Sequence, residues 1–404
     1  MLRKMEGETM EDKLQINYKF QSNELRFLLE LLKVEGKINL KTNQPTSLKD
    51  FNWDHFLELV KHHRCCPLVY SKLRNTHESL IPSYIIEELY QEYKRNTFKM
   101  LQLTGEMEQV DKLCTEKHIT LLFLKGPTIA YDLFGDISLR MSKDLDILVL
   151  EKDLEKTEKI LLSMGYEKRE IPMVLNEIKW RHYHITYYHT QKKIQIEIHW
   201  RLHPRSMEGG NFEELWSRKR ESSLTKHPIS FMGKEDLLLY LISHGSRHGW
   251  FRLRWLKDID QMVRSNNINY EHFNLLAIKY RQEHLVGQAF QLANLLLGTP
   301  LHEDIQKFVV TERATELAKK AIPYIEEMVQ LNVDVKPRDL DKSYRNYLFS
   351  IKSKRQKLKF FVILFYPSST DEQTLKLPKT IHFLYFLLRP FLIVWRKIRK
   401  PLFS

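Results

Sequence analysis

At 404 residues the chain is too long for one typical core and predicts two or three domains. A composition of 43% hydrophobic and 28% charged residues suits a folded protein and argues against disorder, while the three cysteines, Cys65, Cys66 and Cys114, match no zinc or redox spacing. The net charge of +13 is concentrated from Lys342 to Ser404, where 14 Lys/Arg face only Asp371 and Glu372; the near-neutral remainder argues against an enzyme that tracks DNA.

The opening residues lack the apolar core and small-residue cleavage site of a secretory signal, and no uninterrupted apolar run reaches the ~20 residues that span a bilayer. A cytoplasmic location is expected.

The first hundred residues read as helices: Asn23 to Leu32, then Trp53 to Leu73 with an interruption near Pro67. Met100, Leu103, Met107, Val110 and Cys114 recur at intervals of three and four, one face of a helix. Ile119 to Leu124 is an apolar run of strand length, and Pro127 suits the first turn of a helix ending near Gly135. Asp144 to Leu150 alternates as a strand, followed by a helix from about Asp153 to Met164 with Gly165 as C-cap. His182 to Tyr188 and Ile194 to Trp200 predict a hairpin across Thr190 to Lys193. After His203-Pro204 the strands are expected to stop, and Leu237 to Ser246, Leu253 to Val263 and Asn274 to Leu297 read as helices, with a polar break from Val333 to Pro337. The expectation is an α+β protein: a helical N-terminal region over 1–98, a core with a small mixed sheet over 99–205, a helical domain over 206–335, and a basic, apolar-rich helical tail over 336–404.

Alternation on a strand puts Asp144 and Asp146 on one face and apolar residues on the other. Two such carboxylates can hold one Mg²⁺ jointly and bridge to a second, an ion suited to oxygen ligands. Glu197, on the polar face of a later strand with Gln195 and His199, can complete the second site and assist deprotonation of an acceptor. The turn at Lys125-Gly126 would bring backbone amides to phosphate oxygens at a helix N-terminus, and Arg140 could add a fixed positive charge to a triphosphate. Each signal has a plainer reading: a solvated strand face, a loop charge paired with an acid, a lysine pointing to solvent. Their order along the chain favours nucleotidyl transfer from a nucleoside triphosphate with a divalent metal.

Phe123-Leu-Lys-Gly-Pro-Thr-Ile-Ala130, Arg140-Met-Ser-Lys-Asp-Leu-Asp-Ile-Leu-Val149, Met164-Gly-Tyr166, Ile196-Glu-Ile-His-Trp-Arg201 and His244-Gly-Ser-Arg-His-Gly-Trp250 together resemble an uncharacterised bacterial nucleotidyltransferase family of the DNA polymerase β superfamily. The resemblance spans roughly residues 20 to 290. It implies a small mixed sheet flanked by helices, divalent-metal dependence, a nucleotide donor, and Asp144, Asp146 and Glu197 as metal-binding acids. The superfamily's usual turn is Gly-Gly or Gly-Ser, whereas here it is Lys125-Gly126, so the role carried to Lys125 stands apart from that of the acids.

His244 and His248 lie four apart at a helix end and read either as a pair bonded to backbone or as contacts to nucleotide or acceptor; a zinc site lacks its third ligand. Trp250, Arg252 and Asp258 suit packing or a salt bridge that holds the helical domain on the sheet. His199 reads either as a residue orienting a substrate phosphate or as structural.

In the tail, Phe360 to Tyr366 and Ile381 to Trp395 are apolar runs set among Lys and Arg. They suit the headgroup layer of an anionic membrane, or packing on the protein's own helices; nucleic acid ranks third because the aromatics cluster with aliphatics. Adenylyl transfer from ATP to a hydroxyl or phosphate of an unidentified acceptor is the leading expectation. The alternatives are a non-catalytic nucleotide-binding or scaffold protein on this fold, and kinase-like transfer of the γ-phosphate.

Overall fold

The computed structural model describes residues 22–33, 51–74, 81–169, 182–265, 267–331 and 337–399. The opening residues, the polar break at 333–336 and Lys400 lie outside the described residues.

The strands are β1 (Leu121–Phe123), β2 (Asp144–Val149), β3 (Glu167–Lys168), β4 (His184–His189), β5 (Ile194–His199), β6 (Arg220–Ser222) and β7 (Ile229–Phe231). They form one mixed sheet in the order β3-β4-β5-β2-β1-β7-β6, flanked by helices, so the protein is α+β. The β4–β5 hairpin closes where expected, with His189 opposite Ile194, and β2 runs parallel to β5 with Asp146 opposite Glu197. The apolar side chains of β1, β2 and β5 are buried, which fixes register, since a one-residue slip would turn every carboxylate into the core.

Against the sheet lies Ser83–Glu116, a 34-residue helix that buries Met100, Leu103, Met107, Val110 and Cys114. Pro127–Phe134 ends on Gly135 at φ 68, and the helix Leu154–Ser163 is followed by Gly165 at φ +87, both conformations open to glycine. Pro67 sits in the first turn of Cys66–Leu73, which splits the expected N-terminal helix from Trp53–His62.

Two expectations are overturned. Strands do not stop after His203-Pro204: β6 and β7 extend the sheet, with β7 parallel to β1 at Phe123 and Phe231. At three residues each they are too short to display a period of two. Asn274 to Leu297 is two helices, Tyr270–Lys279 and Glu283–Leu297, because Arg281 takes a left-handed conformation at φ 56 with no glycine or proline to announce it.

Tyr347 and Ile351 join the main core, whereas Tyr385 and Leu392 form a separate small cluster with Leu377 and Leu388.

Candidate active site

β2 and β5 set the floor of a cavity of about 330 Å³, into which Asp144, Asp146 and Glu197 project. Parallel pairing places Asp146 beside Glu197, and the period of two brings Asp144 onto the same face. The expected acids therefore meet in one place.

Asp146 is fully buried. Its Oδ2 faces the Lys125 ammonium at 3.1 Å, and its Oδ1 accepts from His199 Nε2 at 3.1 Å. His199 Nε2 also lies 3.4 Å from Glu197 Oε2, which His184 Nε2 approaches to 3.7 Å, while Gln195 donates to Glu197 Oε1 at 3.0 Å. Burial alone would raise the Asp146 carboxyl, but Lys125 and the His199 hydrogen bond hold it well below the usual carboxylate range. Glu197 is likewise lowered, against its burial, by the His199 bond. Asp144 moves the other way: burial and the neighbouring Asp146 charge raise it. For His199 burial works downward, yet the bonds to Asp146 and Glu197 raise it overall.

Lys125 reaches this cluster because Gly126 turns the chain at φ +108, a conformation that L side chains rarely adopt. A Cβ there would also crowd Leu145 Cδ2 at 3.2 Å. The Lys125 ammonium is buried, which works against its charge, but Asp146 raises it overall. In this structure Lys125 is an internal counter-ion of the carboxylates.

Arg140 lines the cavity with its guanidinium partly committed: Nε and Nη2 donate to Asp258 Oδ1 and Oδ2 at 2.9 and 3.0 Å. The expected salt bridge at Asp258 thus joins the helix Leu253–Arg264 to the segment before β2. Arg140 Nη1 is buried with no hydrogen-bond partner among the described residues.

His244 and His248 both line the cavity. The helix Lys234–Arg247 ends where the Trp250 N–H returns to Gly245 O at 3.0 Å, and Gly245 admits the buried Trp250 ring, which a Cβ would strike at 2.2 Å. That turn presents His244 and His248 to the cavity, where His248 stacks on Trp255 with centroids 5.2 Å apart. Burial, then Arg247, pushes His248 down to about 3; burial, then Lys125, lowers His244 well below its ordinary value, so both rings are neutral.

Sequence reasoning missed the cationic wall. Arg64, Lys143, Arg247, Arg252 and Arg254 line the same cavity. Burial and one another's charge push Arg64 and Arg252 down to about 10 and Arg254 to about 9, as expected of cations gathered without enough anions. Lys143 is lowered by Arg64 and by burial. Arg64 stands in the break between two helices at φ 57, far along the chain from the others, so no local motif contains it. Lys143 and Arg247 lie inside the segments that carry the resemblance, and Arg252 reads as packing or a salt bridge, so the signals were legible without the role.

The donor set fits a divalent cation. Asp144, Asp146 and Glu197 line one cavity, burial and then the Asp146 charge make Asp144 hard to ionise, and carboxylate oxygens suit a divalent cation. His184, Glu197 and His199 also offer ligand atoms within 4.8 Å of one another.

A solved structure, that of the antibiotic-resistance factor ANT(2'')-Ia, is similar at 12% sequence identity over 46% of this chain and 92% of its own, with a TM-score of 0.32. No curated protein matches. The model of the uncharacterised nucleotidyltransferase family matches residues 49–298, more than half of the chain and all of the cavity's lining, and the chain belongs to that family.

Proposed function

We propose that the chain transfers a nucleoside monophosphate, AMP from ATP by preference, to a hydroxyl or phosphate oxygen of an acceptor, in the manner of the DNA polymerase β superfamily. The observation that carries this reading is the meeting of Asp144, Asp146 and Glu197 on one sheet face beneath a wall of arginines and Lys143. Acid floor and basic wall are what a metal-bound triphosphate requires on its two sides.

Asp144 and Asp146 would hold one Mg²⁺ and Glu197 a second. When bound there, a divalent cation would neutralise triphosphate charge and make an acceptor hydroxyl easier to deprotonate. The wall cations bind the β- and γ-phosphates and stabilise the pyrophosphate as the α-phosphorus–oxygen bond breaks. The acceptor oxygen bonds to the α-phosphorus, and its proton passes to Glu197, the more accessible member of the Asp146–Glu197 pair. Lys125 neutralises Asp146 while no other cation is present and takes a phosphate oxygen once donor binds. His199 orients Asp146 and Glu197 through Nε2.

The test is incubation with Mg²⁺, each labelled nucleoside triphosphate and a cell lysate, reading pyrophosphate release and product mass. An adduct of nucleoside monophosphate mass, absent with Asp146→Asn, is the expected result. An adduct of phosphate mass would instead assign kinase-like transfer, and nucleotide binding without any product would assign a scaffold.

A further inference from the structure

Two helices near the C-terminus carry their polarity reversed. In Tyr385–Arg399 the inward residues are Tyr385, Arg389 and Leu392; Arg389 pairs with the buried Asp371, which also accepts from Arg396 Nη1 at 2.8 Å. The outward stripe is Leu387, Phe391, Val394 and Ile398, at spacings of four, three and four, with exposures from 55% to 74%. In Lys354–Leu364 the same holds for Leu358, Phe361 and Val362, continued by Phe365, at 48% to 67% exposure. The two helices adjoin: Arg389 donates to the Leu364 carbonyl, and the Tyr366 and Phe386 rings lie 5.2 Å apart.

An amphipathic helix ordinarily turns its apolar stripe to the core. Here a salt-bridge network occupies the inner side and the apolar stripes are left in water, which marks an interaction surface. Charge selects what covers it. The segment from Lys342 onward has 14 Lys/Arg against two acids, one of which, Asp371, is already consumed internally. A second copy would bring like charge to like. Arg355 and Lys359 pair with Glu208 at 3.6 and 2.7 Å, and a bilayer with anionic headgroups offers both a medium for the stripes and counter-charge for Lys354 and Lys357.

We propose that these two helices lie in the headgroup layer of an anionic membrane, with the Leu387–Ile398 and Leu358–Phe365 stripes inserted. They lie on the surface, since no helix among the described residues is long and apolar enough to cross a membrane. The inward turn of Arg389 to Asp371 keeps the mid-helix charge out of the lipid. Nothing in the binding depends on turnover in the cavity.

The full chain is mixed with vesicles of phosphatidylcholine alone or of phosphatidylcholine with phosphatidylglycerol, and bound protein is recovered by flotation. Partition at least about tenfold higher onto the anionic vesicles, weakened by salt, is expected. The double substitution Leu387→Asp with Phe391→Asp, both on the exposed stripe, reduces it at least about tenfold, with unchanged circular dichroism. The fluorescence difference between the wild type and Trp395→Phe shifts to the blue on anionic vesicles, because Trp395, 54% exposed, flanks the stripe next to Val394. Equal partition on both vesicles, or binding indifferent to the double substitution, would overturn the proposal. So would lipid-independent dimerisation abolished by that substitution, since a second copy would then be the occupant.

Discussion

Arg140 and Asp258, 118 residues apart in sequence, form a fully buried two-point ion pair that ties the segment before β2 to the helix that carries Arg254 of the cationic wall. Removing one partner strands a charge in the interior. Asp258→Ala should lower unfolding free energy by about 3–5 kcal/mol, measured by denaturant titration. The double replacement Arg140→Met with Asp258→Leu should recover only the part of that loss due to Arg140, because Arg254, 3.5 Å from Asp258 Oδ2, is still left without this partner.

Asp144 and Asp146 should separate stability from activity. Burial and the Asp146 charge raise the Asp144 carboxyl, so its ionised form destabilises the fold at neutral pH, and that penalty fades as pH falls through the raised value. Asp144→Asn is therefore expected to be neutral or stabilising by about 1 kcal/mol, while pyrophosphate release drops by about 10²-fold or more. Asp146 is the reverse case, held low by Lys125 and His199 despite its burial, so its contribution is complete above the ordinary carboxylate range and lost only as pH falls through the depressed value. Asp146→Asn should cost about 3–5 kcal/mol as well as activity, since Lys125 loses its counter-charge. Thermal melts beside turnover assays distinguish the two.

Lys143 lines the cavity, and its charge is disfavoured first by Arg64. Lys143→Ala should weaken triphosphate binding about tenfold, the equivalent of one charge-assisted hydrogen bond, and leave the melting temperature unchanged. Titration calorimetry with tripolyphosphate reads this without catalysis. Unaltered affinity would remove Lys143 from the phosphate wall.

Acid should destabilise the protein through its buried histidines. Burial pushes His284 down to about 4, and lowers His63 and His203 well below the ordinary value. Below about pH 6.5 the unfolded chain therefore binds protons that the folded chain refuses, and each ring removes up to about 1.4 kcal/mol per pH unit until its folded form titrates. His199, raised, opposes this: its contribution is complete below the ordinary histidine value and is lost as pH rises through the folded one. Urea midpoints should fall between about pH 7 and about pH 5. His284→Gln, which can keep a donor to the Ile351 carbonyl that His284 reaches at 2.6 Å, should flatten the decline.

The central strands and their carboxylates were readable because β2 alternates over six residues and β4 and β5 repeat the pattern either side of a polar turn. Glycine and proline announced Pro127–Phe134, Gly135 and Gly165 in the same way. β6 and β7 were not readable, since three residues hold no period and the strands depend on long-range pairing, β7 with the edge at β1 and β6 with β7. Arg64 and Arg281 at positive φ likewise carry no glycine signal; packing holds them there.

Side-chain direction along a strand, the caps of helices and the sign of the tail's charge follow from local chemistry, so Asp144, Asp146, the Lys125-Gly126 turn and the basic C-terminal segment could be found in the chain before folding. Strand order, the pairing of Asp146 with Glu197, the counter-ion role of Lys125 and the assembly of Arg64, Lys143, Arg247, Arg252 and Arg254 around one cavity belong to long-range packing. Charges distant in sequence converge only when the core chooses a register, and whether an apolar stripe faces inward depends on competition with Arg389 and Asp371 for the interior.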